Sequence, residues 1–332
     1  DHIVSAAQIY GSTVTLLKHS LKRFNIDCTF VDINDQTAVS NAIQDNTKLV
    51  FCESIGNPGL AVSNLPAIAK TAHAQGIPLV VDATFATPYL NNPIKHGADV
   101  VVHSVTKWIG GHGVAVGGVV IDGGNFDWLK SGRFPTLTQP YEPFHGMNFW
   151  EEFGPAALAM RIRCESMRDI GAAMTPHNAF LLLQGLETLS LRMQQHVSNA
   201  QAMVTWLQQQ DTVAWVNHPD IDAEAHTKTL FPKGAGSMLT FGVKGGRDAG
   251  AAFINALQLS SNLANVGDSR TLVLHPGSTT HSRLSDADLV AAGISADLIR
   301  VSVGIETLKD IQSDFGLGLR AAAKAVAMQA EA

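Results

Sequence analysis

Asp82 and Lys107 are the two residues of this sequence best placed to do chemistry. Each stands at the end of a short, apolar, β-branched run. Pro78–Val81 leads into Asp82, and Asp99–His103 leads into Ser104-Val105-Thr106-Lys107. In an open parallel sheet, ligands bind outside the carboxyl ends of the strands, so one cavity could receive both side chains. A lysine at the edge of an apolar sheet carries its charge at a cost, and its pKa should fall. The neutral amine is then a nucleophile for a carbonyl and forms a Schiff base. A carboxylate in the same cavity would favour a protonated pyridine nitrogen, which makes an aldehyde cofactor bearing that ring an electron sink. Ser104 and Thr106 sit at alternate positions and can donate hydroxyls to phosphate oxygens, while Gly110-Gly111-His112-Gly113 permits close backbone approach. Taken singly, Asp82 and Lys107 could equally form an ordinary ion pair. The hydroxyls and glycines beside them weigh against that.

Other chemistries fit poorly. Gly111-x-Gly113 follows the lysine rather than a strand and lacks the third glycine of a dinucleotide turn, and no phosphate-binding G-x-x-x-x-G-K-[ST] loop occurs. Among the 13 histidines, His103, His112, His275 and His281 show no paired ligand spacing, so no metal site is expected. Cys28, Cys52 and Cys164 form no C-x-x-C pair and read as reduced thiols of a cytoplasmic protein. A net charge of -6 argues against nucleic acid and against an anionic membrane surface. No apolar run reaches membrane-spanning length, and Asp1–Ser5 has no basic-then-apolar leader pattern. Charged residues are only 16% of the chain, below the usual quarter, which extensive subunit contact would explain.

The positioning elements can be read as well. Cys28–Asp32, Lys48–Cys52, Pro78–Asp82, Asp99–His103 and Gly118–Ile121 read as strands buried on both faces. Helices are expected over Tyr10–Phe24 and over Asn64–Gln75, the latter capped by Ser63 or Asn64 and stopped at Gly76. This alternation implies an α/β fold with a mostly parallel sheet in a large domain, residues 1–175. Phe126 to about Gly154, rich in Pro and aromatic residues, reads as an ordered loop. Glu165–Gln210 reads as long helix with a break at Pro176, linking the domains over residues 176–210. Residues 211–332 mix strands (Ser237–Val243, Thr271–His275, Leu298–Val303) with helices (Gly250–Ala256, Leu308–Ala327), a smaller α+β C-terminal domain. The chain opens without Met and runs straight into a core strand, so a preceding N-terminal portion is expected.

Several segments, in order along nearly the whole chain, resemble the pyridoxal-phosphate enzymes of Cys/Met metabolism. They are Ile9-Tyr10-Gly11-Ser12-Thr13, Glu53-Ser54-Ile55-Gly56-Asn57-Pro58, Val80-Val81-Asp82-Ala83-Thr84-Phe85-Ala86-Thr87-Pro88, His103-Ser104-Val105-Thr106-Lys107-Trp108-Ile109-Gly110-Gly111-His112, and Leu298-Ile299-Arg300-Val301-Ser302-Val303-Gly304-Ile305-Glu306. The resemblance implies the type I, aspartate-aminotransferase-like fold and pyridoxal 5'-phosphate as cofactor. It implies that Lys107 holds the cofactor aldehyde and later shuttles protons, and that Asp82 pairs with the ring nitrogen. By the same resemblance Ser104 and Thr106 bind the phosphate, Thr84 belongs to the cofactor set, Tyr10 stacks on the ring and takes part in catalysis, and Asn57 bonds the phenolic oxygen. Arg300 would clamp a substrate carboxylate, a bidentate task suited to guanidinium, with Asn265 beside it. On sequence alone Tyr10 could instead be a core aromatic, and Asn57-Pro58 a plain turn. Ala83 stands where the family has Asn more often. The family also carries a segment before the position of Asp1, with a phosphate-binding turn and an arm reaching the neighbouring subunit's site.

Phe144–Trp150, Asn178–Leu189 and Leu263–Asp268 resemble the O-acetylhomoserine sulfhydrylase branch. That branch implies γ-replacement in methionine biosynthesis: O-acetyl-L-homoserine and sulfide give L-homocysteine and acetate. It also implies a homotetramer built from dimers with shared active sites. Cystathionine γ-synthase or methionine γ-lyase chemistry would use the same cofactor residues, and a cofactor-binding but inactive subunit is an alternative of another class. His145, Phe149 and Trp150 could wall a pocket or pack a subunit contact, and no chemical role falls to them.

Overall fold

The computed structural model describes residues 1–280, 282, 283, 285 and 294–330; His281 lies outside them. The chain divides into two compact units, residues 1–105 with 116–180, and residues 106–115 with 181–332.

The first unit is built on a six-stranded sheet: β1 (His2–Ala6), β2 (Asp27–Val31), β3 (Thr47–Glu53), β4 (Leu79–Asp82), β5 (Val100–Ser104) and β6 (Gly118–Asp122). The order is β2-β1-β3-β4-β5-β6, with β6 alone antiparallel to its neighbour. Val50, Cys52, Leu79 and Val81 are fully buried in its middle strands, as both-face coverage requires. The Leu65–His73 helix covers it with Leu65, Ile68, Ala69 and Ala72, a stripe at helical spacing. Asn64 caps that helix by accepting the Ala67 N–H, and Pro66 occupies the first turn, where its missing N–H costs nothing.

Two segments of this unit depart from the sequence expectation. Tyr10–Phe24 is not one regular helix. It runs as an α-turn (Gly11–Thr15), a π-turn (Leu16–Ser20) and a 3-10 turn (Leu21–Phe24), ended by left-handed Asn25. Leu17 is its only buried residue, so little apolar face holds a regular geometry, and Thr13-Val14-Thr15 are β-branched. Conversely, the expected loop after Phe126 contains short helices. Trp128–Ser131 is capped by Asp127, Phe149–Phe153 is capped by Asn148, and Pro135–Thr138 starts on its proline. Phe126, Trp128 and Phe134 pack edge-to-face, with centroids 4.7 Å and 4.8 Å apart for the two closer pairs.

The second unit has a five-stranded sheet: β7 (Val213–Asn217), β8 (Met238–Val243), β9 (Ser261–Asn262), β10 (Leu272–Leu274) and β11 (Leu298–Ser302), in the order β7-β8-β11-β10-β9. Only β9 runs parallel to its neighbour. Phe241 of β8 meets Phe253 of the Gly246–Asn255 helix, and Phe253 meets Phe315 of the Leu308–Ala330 helix, each pair at 5.4 Å. The Leu189–Leu207 helix adds Met203 and Leu207 to that core. β7 and β9 were not expected. β7 is bulged between Val213 and Trp215, which breaks the alternation, and two residues of β9 carry no period.

Candidate active site

The first unit sets two carboxylates side by side. β3 and β4 pair in parallel register with Glu53 opposite Asp82, so both side chains emerge at the carboxyl ends of central strands. Asp82 Oδ1 accepts the Thr84 N–H at 2.8 Å, and Thr84 Oγ1 accepts the Ser104 N–H at 2.8 Å. Thr84 thus orients Asp82 and ties the ends of β4 and β5 together. Burial raises the pKa of Asp82, and the bonds from Thr84 oppose the shift. Glu53 is only 6% exposed. Its pKa is pushed up to about 8, first by burial and then by the charge of Asp82, against the N–H groups of Tyr10 and Asn57. The Tyr10 N–H donates to Glu53 Oε1 at 2.7 Å. The ring of Tyr10 is not a core aromatic: it is 51% exposed, and what the unit holds is its backbone. Asn57 is buried and precedes a cis bond to Pro58. Ser104 closes β5 half-buried, and Ala83 is fully buried.

The second unit gathers three of the expected residues. Lys107 Nζ donates to Asn265 Oδ1. Its pKa is lowered, first by burial and then by the positive charge of Arg300. Arg300 lies in β11 between Thr240 of β8 and Leu274 of β10, and its guanidinium donates to the Ala264 carbonyl at 3.2 Å. Lys107, Asn265 and Arg300 therefore form one cluster, and Thr106 stands half-buried next to Lys107 in sequence.

Two residues escaped the sequence reading. Glu53 ends β3, one position beyond the expected strand; a carboxylate at a strand end was the available signal. Arg192 is 6% exposed, and it shares a helical face with the buried Leu189, Met193 and His196. A basic residue on an apolar stripe was its signal.

The histidines give this chain a pH signature. Burial pushes His103 and His196 down to about 4, so both are neutral at pH 7. Their unfolded values are near 6.5. The unfolded state therefore binds more protons between these values, and stability present above about pH 6.5 is lost as the pH falls towards 4. Each contributes a slope of up to about 1.4 kcal/mol per pH unit in that window. His2, His96, His218 and His275 shift the same way by burial. Glu53, Asp82 and His73, all raised, oppose them. With the histidines in the majority, the urea midpoint of the apoprotein is expected to be lower at pH 5 than at pH 6.5. A midpoint that rises on acidification would contradict the assignment.

Taken each by itself, the half-buried amine of the second unit, with its depressed pKa, suits an aldehyde, and the buried carboxylate of the first unit suits a basic ring nitrogen. Pyridoxal phosphate has both features, and the residues fit it. The chain belongs to the Cys/Met metabolism PLP-dependent enzyme family, whose sequence profile matches residues 1–320. It is 48% identical over 327 residues to a homocysteine synthase of Schizosaccharomyces pombe, covering 97% of this chain and 76% of that protein. It is 40% identical over 332 residues to an O-acetyl-L-homoserine sulfhydrylase of Leptospira meyeri, covering 96% and 75%. Among solved structures, a putative O-acetylhomoserine (thiol)-lyase of Campylobacter jejuni, carrying a pyridoxyl-lysine, matches with a TM-score of 0.90 at 36% identity, over 96% of this chain and 77% of that one. Type I fold class and cofactor dependence follow from this membership. Among the described residues no helix is long and apolar enough to cross a membrane, and no group of His, Cys, Asp or Glu could hold a metal.

Proposed function

We propose that this chain converts O-acetyl-L-homoserine and sulfide to L-homocysteine and acetate by γ-replacement. The observation that carries the reading is the cluster of Lys107, Asn265 and Arg300, in a chain whose relatives bear the names homocysteine synthase and O-acetyl-L-homoserine sulfhydrylase. Pyridoxal phosphate, when bound, supplies an electron sink for carbanion chemistry at the substrate's Cα.

The chain's residues do the rest. Lys107 would hold the cofactor aldehyde. Its free amine would take the Cα proton at Nζ, which burial and Arg300 keep ready to accept one. Asn265 orients that amine. Arg300 binds the substrate carboxylate through its planar fork. The carboxylate in turn offsets the charge that depresses Lys107, so the amine becomes a stronger base when substrate arrives. Asp82 would keep a proton on the ring nitrogen, and Thr84 keeps Asp82 in place. Ser104 and Thr106 would hold the phosphate. Asn57 would meet the phenolic oxygen, and the half-exposed ring of Tyr10 would stack on the cofactor. Lys107 would carry the Cβ proton in its turn; acetate leaves Cγ as its anion, hydrosulfide forms the new bond there, and one proton is returned to each of Cβ and Cα, which completes homocysteine.

We further propose the domain division 1–175, 176–210 and 211–332, a cytoplasmic location, and a homotetramer of dimers with shared sites. Exposed Phe180, Leu183 and Leu191 support subunit contact. The functional reading predicts homocysteine and acetate in equal amounts from holoprotein, O-acetyl-L-homoserine and sulfide. Turnover with cysteine as acceptor and none with sulfide would replace it by a cystathionine γ-synthase reading.

A further inference from the structure

The segment that carries Lys107 is held from below by a buried cation. Arg192 Nη1 donates to the Trp108 carbonyl at 2.7 Å, and Nη2 donates to the carbonyls of Ile109 at 3.0 Å and Gly185 at 2.6 Å. Nε reaches Thr188 Oγ1 at 3.2 Å, which fixes the plane of the guanidinium. A buried guanidinium is costly to desolvate, and here it is used on the two peptides immediately after the lysine. The surroundings are built for that contact. A Cβ on Gly111 would lie 2.2 Å from Arg192 Nη1, and Gly111 itself has a φ of +71°. A Cβ on Gly185 would lie 2.2 Å from the Gly110 carbonyl, and one on Gly267 would lie 2.6 Å from the Trp108 nitrogen. Ser269 adds two bonds to the Gly111 carbonyl, from its N–H and its hydroxyl, both at 2.8 Å. Trp108 Nε1 donates to Ser237 Oγ at 2.9 Å.

We infer that Arg192 is a positioning residue for the reaction: it clamps the carbonyls of Trp108 and Ile109 and so fixes where the Lys107 amine stands. This rests on the assignment of Lys107 made above. A lysine in place of Arg192 keeps the charge but gathers its donors on one nitrogen instead of a planar fork, so it cannot reproduce the spread with which the guanidinium meets three carbonyls. Misplacing a reacting group by about 1 Å can cost about 10²-fold in rate.

The test is Arg192→Lys, prepared as holoprotein and compared with the unsubstituted chain. Expected are an unchanged far-UV circular dichroism spectrum and a kcat lower by about tenfold or more. KM should change by less than about threefold, and bound pyridoxal phosphate should be lost faster on dilution, read from its visible absorption. Native kcat and cofactor retention in R192K would overturn the inference, as would a defect confined to KM. Should R192K not fold, Ser269→Ala is read in its place. It should lower kcat alone, by about threefold, and native kinetics there would overturn the inference. Failure of both to fold would assign these contacts to stability only and overturn it as well. Native activity in Lys107→Ala would instead sink the underlying assignment, so the two failures are distinguishable.

Discussion

Lys107→Ala is expected to lower homocysteine formation by at least about 10³-fold while the protein remains folded. Two losses combine in this variant. Proton transfer by a positioned base is worth about 10²–10⁴-fold, and the covalent hold on the cofactor goes with the same amine. The fold should survive because burial lowers the pKa of Lys107, so protonation of this amine opposes the native state rather than supporting it. Asn265 loses its Nζ donor, but it is only partly buried and can turn to water. The variant should therefore match the unsubstituted apoprotein in urea midpoint and fail in turnover. Near-native turnover would refute the assignment of the amine.

Asp82→Asn should separate activity from stability in another way. Asparagine keeps an oxygen for the Thr84 N–H but cannot hold a proton on the ring nitrogen. A fall in kcat of about 10²–10³-fold is expected, the range for removing one preorganised electrostatic partner. The apoprotein should be as stable or more stable at pH 8, because burial raises the pKa of Asp82 and its ionised form is disfavoured there. Glu53, paired in register with Asp82, gains from the same change because a neighbouring negative charge disappears. The checks are steady-state kinetics and urea titration of the apoprotein. An active D82N, or one destabilised by several kcal/mol, would count against the ring-nitrogen role.

How far the sequence alone reached depended on the size of the physical signal. β3 to β5 were legible because their residues are β-branched and largely apolar, the mark of strands covered on both faces. β2 and β6 read the same way, but as edge strands they are not covered so: β2 has no buried residue, and Val119 and Val120 of β6 are exposed. β7 was not, because its bulge and half-exposed residues hide the alternation. Tyr10–Phe24 reads as one helix because apolar residues recur along it, yet Leu16 and Phe24 are exposed. Asp82 and Lys107 stood out as ionisable residues at the ends of apolar strands. Glu53 obeys the same rule but was hidden by a strand end placed at Cys52. Arg192 could not be read as part of the lysine segment at all, since the carbonyls it holds lie 84 and 83 positions away in sequence. Only the folded backbone brings them together.

The most direct measurement reduces the holoprotein with borohydride, digests it, and locates the pyridoxyl group by mass spectrometry. One adduct per chain, on the peptide containing Lys107, is the predicted result. A pyridoxyl group on any other lysine, or an unmodified Lys107 in protein that retains the cofactor's colour, would contradict the account.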